Sequence, residues 1–135
     1  MNFKFTDLQA SFGVEQMRRL PRVVQRKKQI YQRYVDNLKD HVEFINTDLT
    51  TVTPTYPEII VSRRDELAEH LRKYNIGCRA VYGSLSIQPF HSQWAVPTPI
   101  TDKVAETGLQ LPAQADLLDY DIDEICKVIL DFYKL

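Results

Sequence analysis

A chain of 135 residues suits one domain able to hide roughly two-thirds of its unfolded surface. Its 17 Lys and Arg against 18 Asp and Glu leave a formal charge of −1, a balance that does not demand nucleic acid or an anionic membrane. The hydrophobic and charged fractions, 44% and 26%, are those of a folded globular chain, and no apolar run approaches the ~18–20 residues of a membrane helix.

The first element is a helix. Thr6 followed by Gln9 reads as a capping box, in which a hydroxyl accepts a backbone N–H and an amide reaches back to the cap. Leu8, Phe12, Met17, Leu20 and Val24 recur at near-helical spacing, and the stripe resumes through Ile30, Tyr31, Tyr34, Val35 and Leu38. Pro21 lacks the backbone donor and crowds the preceding turn, which predicts a kink or a break there. The opposite face carries Arg18, Arg22, Arg26, Lys27 and Arg33.

Next come "HVEFIN" (41–46) as a short strand, a polar loop, and "YPEIIVS" (56–62) as a strand entered at Pro57. Ser62 and Asp65 offer a second capping pair for a helix over 63–75, with Gly77 as its stop. "CRAVYGSL" (78–85) alternates as a strand. "SIQPFHSQWAVPTPITDK" (86–103) is too apolar for a solvated linker and is expected to pack along a surface or a partner. A short helix over 100–108, a short strand at "LQLP" (109–112) and a final helix capped by Asp119 complete the order; Ile122, Ile125, Ile129 and Phe132 form the last buried stripe. The expected architecture is α+β: a single domain over 1–135 with a long, kinked N-terminal helix and a small, mostly antiparallel sheet, helices packed on one face.

Chemistry is sparse. Asp116, Asp119, Asp121, Asp123 and Glu124 crowd the start of the last helix, where acidic groups suit the positive end of the helix dipole without any catalytic role. His41, His70 and His91 have no metal spacing; His70 reads as a surface residue and His91 as a structural one. Cys78 and Cys126 form no metal-spaced pair and read as packed thiols of a reduced, cytoplasmic protein. The basic residues of the first helix read as a solvated face in preference to a phosphate surface. There is no serine elbow and no phosphate-cradling Gly loop. Residue types and spacing alone give a folded domain without a self-contained active site.

Three stretches carry a resemblance. "NFKFTDLQASFGVEQMRRLPRVVQRKKQIYQRY" resembles the segment Gly-Tyr-Asn-aromatic-Arg-x-Thr-Glu-Leu-Gln-Ala-Ala-x-Gly-x-x-Gln-Leu of the DegT/DnrJ/EryC1/StrS aminotransferases. "NIGCRAVYGSLSIQP" is similar to their Gly-Ile-x-x-Arg-x-x-Tyr-x-Pro-Leu-His-x-Gln-Pro, and "AETGLQLPAQADLLDYDIDEICKVILDFY" to their Leu-x-Leu-Pro segment and closing helix. The resemblance implies the small C-terminal domain of a fold-type-I, pyridoxal-phosphate-dependent enzyme that aminates keto sugars on nucleotides. Glutamate is the implied amino donor, and the product would serve surface polysaccharide, glycan or antibiotic-sugar synthesis. Relatives that dehydrate or epimerise sugars, or regulate, share the family.

The same resemblance implies that the cofactor domain and its Schiff-base lysine lie elsewhere, upstream or in a separate chain. Lys4, Lys27, Lys28, Lys39, Lys73, Lys103, Lys127 and Lys134 match no cofactor position of the family. The chain alone is therefore expected to hold no pyridoxal phosphate, to carry no catalytic residue or metal, and to be inert. Asn2 matches an asparagine that reaches the cofactor phosphate of a neighbouring subunit, which implies a homodimer. Arg79, Tyr82, Ser86 and Gln88 match the strand and loop near the nucleotide-sugar site, although Ser84 stands for the usual Pro, Ser86 for the usual His, and Lys4 for the usual Arg. The alternative is a non-catalytic interaction or oligomerisation module that keeps this fold without the chemistry.

Overall fold

One long helix organises the chain. In the computed structural model, which describes residues 4–134, α1 spans Asp7–Leu38, 32 residues. The capping box forms: the Gln9 N–H donates to Thr6 Oγ1 at 3.3 Å, and the Thr6 N–H donates to Gln9 Oε1 at 2.9 Å. The helix runs through Pro21 without a break. Pro21 is exposed, so water can serve the carbonyl that lost its donor.

The buried residues of α1 are Ile30, Tyr31, Tyr34 and Leu38, all in its C-terminal part. Phe5 before the helix and Leu8, Phe12, Met17 and Leu20 within it remain exposed. At about 1.5 Å rise per residue the helix is roughly 48 Å long, and its first half therefore projects with its apolar stripe uncovered.

Four short strands follow: β1 Glu43–Phe44, β2 Glu58–Ile60, β3 Arg79–Ala80 and β4 Gly108–Gln110. They lie in the order β1-β2-β4-β3, and each pairing is antiparallel. Phe44, Ile59, Leu109 and Ala80 stand opposite one another across the sheet, and so do Glu58, Gln110 and Arg79 one register position away. Because side chains alternate along a strand, the two rows lie on opposite faces: Ile59 and Leu109 of the first are buried in the core with Phe44 against them, Ala80 at the sheet edge is exposed, and the second row faces away from the core. The runs 41–46 and 78–85 make strands of two residues each, shorter than their composition predicts. β4, only three residues long, sets the length of pairing available to β3.

α2 spans Arg64–Lys73. The Ser62–Asp65 capping pair does not form; Arg63 is the capping residue and has no side-chain cap bond, its guanidinium binding Glu66 instead. The stop is Asn75 and not Gly77: Asn75 has φ 59°, and the Ile76 N–H returns to the Leu71 carbonyl at 3.0 Å. Asn tolerates this left-handed position better than most residues with a Cβ. Two 3-10 turns, Leu85–Ile87 and Pro89–Trp94, lead to α3 at Pro99–Thr107 and then β4. α4 spans Asp119–Phe132; the cap is Leu118, whose N–H donates to Asp121 Oδ2 at 3.1 Å, and Asp119 is the first helical residue with a different duty.

That duty is to anchor α1. Arg33 grips Asp123 with two prongs, Nε to Oδ1 at 2.8 Å and Nη2 to Oδ2 at 2.6 Å, and reaches Asp119 with Nη1 at 3.1 Å. Arg26 binds the other oxygen of Asp119 at 2.8 Å and the Leu117 carbonyl at 2.5 Å. Part of the basic face and part of the acidic cluster are thus partners, not a solvated stripe and a set of dipole charges. Beneath them Ile30, Tyr34, Leu38, Ile59, Leu67, Leu71, Leu109, Ile122 and Ile129 share one core, each worth roughly 1.5–3 kcal/mol if aliphatic. His70 is half-buried and not a surface residue: its ring packs between Tyr74 and Phe132 at 5.2 and 5.5 Å. Cys126 is buried, which with the nearby Asp123 charge pushes its thiol up to about 12, and Cys78 is half-buried. No helix of the described residues is long and apolar enough to cross a membrane.

Two expectations follow from this packing. A Cβ on Gly108 would stand 2.5 Å from the Val104 carbonyl oxygen and 2.6 Å from Val81 Cγ2, whereas one on Gly77 meets nothing within 4 Å. Gly108→Ala should lower the unfolding free energy by about 1–3 kcal/mol in urea, and Gly77→Ala should stay within about 0.5 kcal/mol. The Asp123 carboxyl is held below its ordinary 3.8 first by the Arg33 hydrogen bond. Its contribution is present above the unfolded value and is lost as pH falls through the lower folded value. Carboxyl NMR should find a depressed midpoint for Asp123 that returns to the ordinary range in Arg33→Met.

Candidate functional site

The row that faces away from the core is polar and bonded end to end. Gln110, only 6% exposed, donates Nε2–H to Glu58 Oε1 at 2.7 Å and accepts at Oε1 from Arg79 Nε at 3.0 Å. An ionised carboxylate can only accept and a guanidinium can only donate, so the two partners fix which way the amide points. Arg79 also lies against two rings, with its guanidinium carbon 5.5 Å from the Tyr56 centroid and 4.9 Å from that of Tyr82. Lys27 reaches the same tyrosine from α1: its ammonium is 5.7 Å from the Tyr56 centroid and donates to the Thr55 carbonyl at 2.9 Å. Burial lowers its pKa.

Of the residues that the resemblance points to, Arg79 and Tyr82 therefore come together in this group. Ser86 does not join it. Its hydroxyl lies 2.6 Å from that of Ser84, which is 4% exposed, and donates to Asp102 Oδ1 at 3.2 Å; Thr98 donates to the same oxygen at 3.1 Å. The two serines that depart from the family pattern make a clasp that ties the start of the 3-10 segment to the first turn of α3. Gln88 is exposed, and its backbone joins the two 3-10 turns. Asn2 lies outside the described residues. Tyr56, Glu58 and Gln110 were not candidates on sequence, because what unites them with Arg79 is strand register; the one available signal was a glutamine within the apolar "LQLP".

The segment from the clasp into the first turn of α3 exposes its apolar side chains. Ile87, Phe90, Trp94, Val96 and Ile100 are all more than half exposed, and His91 packs between Phe90 and Trp94. Of the two expected modes, a surface of this domain or a partner, these side chains do not use the first. A groove of about 900 Å³ runs between α1 and residues 115–119, lined by Arg19, Arg22 and Arg26, and a second of about 440 Å³ lies beside Tyr74 and Val128.

An aldehyde cofactor held by this chain would need a lysine of its own for the Schiff base. A Schiff-base lysine needs an orienting clamp and a pocket. Neither groove has a lysine in its wall, and Lys27, the lysine whose pKa is lowered by burial, is already engaged by Thr55 and Tyr56. Among the described residues no group of three or more His, Cys, Asp or Glu could hold a metal ion.

A model of the DegT/DnrJ/EryC1/StrS aminotransferase family matches residues 1–130. GDP-perosamine synthase of Escherichia coli O157:H7 is 26% identical over 138 residues, covering 98% of this chain and 38% of the synthase. Two solved structures have the same fold. An aminotransferase of the family from Brucella abortus has a TM-score of 0.83 at 24% identity, over 90% of this chain and 34% of its own. The GDP-4-keto-6-deoxy-D-mannose-3-dehydratase of E. coli, solved with bound hydrated PLP, has a TM-score of 0.77 at 20% identity, over 94% and 38%. The chain thus spans under two-fifths of the length of the curated relatives it matches.

The clasp generates one expectation. Asp102→Ala removes the shared acceptor of Ser86 and Thr98, so amide hydrogen exchange at Ile87, Gln88 and His91 should speed up several-fold. Global stability should fall by only about 1–2 kcal/mol, the worth of two hydrogen bonds.

Proposed function

The chain belongs to the DegT/DnrJ/EryC1/StrS aminotransferase family, and from that premise we propose that it acts as the C-terminal small domain of a pyridoxal-phosphate-dependent nucleotide-sugar aminotransferase. The cofactor and its lysine belong to a large domain, upstream or separately encoded, and this chain alone is inert. Pyridoxal phosphate, held by that large domain, would supply the amino-group chemistry; the residues here bind and position. Arg79 and Tyr82 contact the nucleotide sugar. Ser86 serves the site by holding the 3-10 segment in place, and Gln88 presents that segment's turn. Asn2 is assigned to the cofactor phosphate of a neighbouring subunit in a homodimer. The reaction takes place in the cytoplasm and feeds glycan synthesis.

The observation that carries this reading is the uncovered apolar face of α1. Leu8, Phe12 and Met17 are each 66–69% exposed on a helix whose other end is sunk in the core. A large domain would cover that face, and relatives of which this chain spans 38% have the length to supply one. The same face supports a second reading, in which copies of this chain cover one another and the module is non-catalytic.

Mixing the chain with the family's large domain tests both. The first reading expects a heterocomplex by light scattering and cofactor-dependent amination of a nucleotide-linked keto sugar, both lost in Phe12→Asp. A stable self-associated species that ignores the large domain supports the second reading. A strict monomer that takes up neither partner removes both.

A further inference from the structure

We propose that the Glu58–Gln110 relay sets Arg79 as a clamp for a phosphoryl anion, the diphosphate of the nucleotide sugar if the chain acts as proposed above. The argument starts from what Arg79 lacks. Arg33, Arg63 and Arg72 each rest on a carboxylate within hydrogen-bond distance. Arg79 rests on an amide, and among the described residues its guanidinium makes no ion pair. Its charge is positioned without being cancelled. The position is specific, since Nε is committed to Gln110, Gln110 is committed to Glu58, and the three residues are register partners on one sheet face.

With Nε occupied, the terminal nitrogens have no hydrogen-bond partner among the described residues, and these are the donors that grip phosphoryl oxygens in pairs. Tyr56 and Tyr82 lie against the guanidinium and restrict its swing. Lys27, 5.7 Å from the centroid of the same Tyr56 ring, adds a second cation whose lowered pKa reflects partial burial. The role of Gln110 is thus positional: a glutamate there would bind Arg79 as tightly but remove the charge the ligand needs, and would face Glu58 with a like charge. An apolar residue would keep the charge and release the geometry.

Titration of the full chain with inorganic pyrophosphate, followed by amide and Arg Nε–H chemical shifts, tests the clamp without a large domain, cofactor or sugar. Expected are saturable shifts at Arg79 Nε–H, Tyr82 and Gln110. Gln110→Glu should weaken binding about tenfold, close to the loss in Arg79→Gln, and Gln110→Leu about threefold, since the charge survives. Lys127→Gln, which removes one positive charge from α4, should leave the affinity unchanged. Absence of saturable shifts in the folded chain overturns the proposal, and so does equal weakening by Lys127→Gln and Arg79→Gln, which would mean attraction to net charge alone. Should Gln110→Glu not fold, Arg79→Gln decides, because Arg79 is exposed and outside the core; unchanged affinity in it rejects the clamp. Pyrophosphate binding alongside failed complementation would retain the clamp and discard the aminotransferase role.

Discussion

Everything in this fold depends on how the C-terminal half of α1 is seated against α4. Ile30, Tyr34 and Leu38 enter the core from one helix, Ile122, Ile125 and Ile129 from the other, and Arg33 closes the seam by gripping Asp123 and Asp119. The ion pairs are partly exposed, so their main effect is register and not strength: they fix which turn of α1 meets the first turn of α4. Tyr31 extends the same seating to the sheet, donating its hydroxyl hydrogen to the Ile45 carbonyl at 2.9 Å while its ring meets Phe44. Four strands of two or three residues could not hold a sheet together alone. They persist because Ile59 and Leu109 are pinned under helices that are themselves locked.

The sheet then separates two tasks by parity. One row supports the core through Ile59 and Leu109, with Phe44 packed against it; the row one residue away, Glu58, Gln110 and Arg79, carries charge to the opposite side. The close approach at Gly108, with no room for a Cβ, lets β3 and the end of α3 converge on the same strand. Arg79 thus inherits its placement from the best-buried element of the chain, and the exposed 3-10 segment that follows β3 is tied to α3 by Ser84, Ser86 and Asp102.

How much of this is legible in the sequence depends on the separation of the residues along the chain. The Thr6–Gln9 box, the apolar stripes of α1 and α4, and the strand at "YPEIIVS" are local patterns; the first two appear as read, and the strand forms over Glu58–Ile60 alone. The α+β architecture and the antiparallel sheet followed from their order. Local rules failed where a competing group was better placed: Arg63 took Glu66 in place of a Ser62 cap, Asn75 turned the chain before Gly77 could, and Asp119 served two arginines and not its own helix end. Arg33 and Asp123 looked like unrelated surface charges because 90 residues separate them. Gln110 was invisible as a site residue for a like reason, since its meaning lies in two neighbours from other strands. The serines at 84 and 86, conspicuous as departures from a family pattern, satisfy one another.

The uneven burial of α1 has a mechanical consequence. A rod anchored by its last few turns and free along its first five is a cantilever. A small rotation of the core about the anchored end is magnified at the tip in proportion to the overhang, and a force applied at the tip returns to the core as torque on the Arg33–Asp123 seam. Whatever grips Leu8, Phe12 and Met17 thereby gains leverage over the tilt of the sheet, and hence over the aim of Arg79.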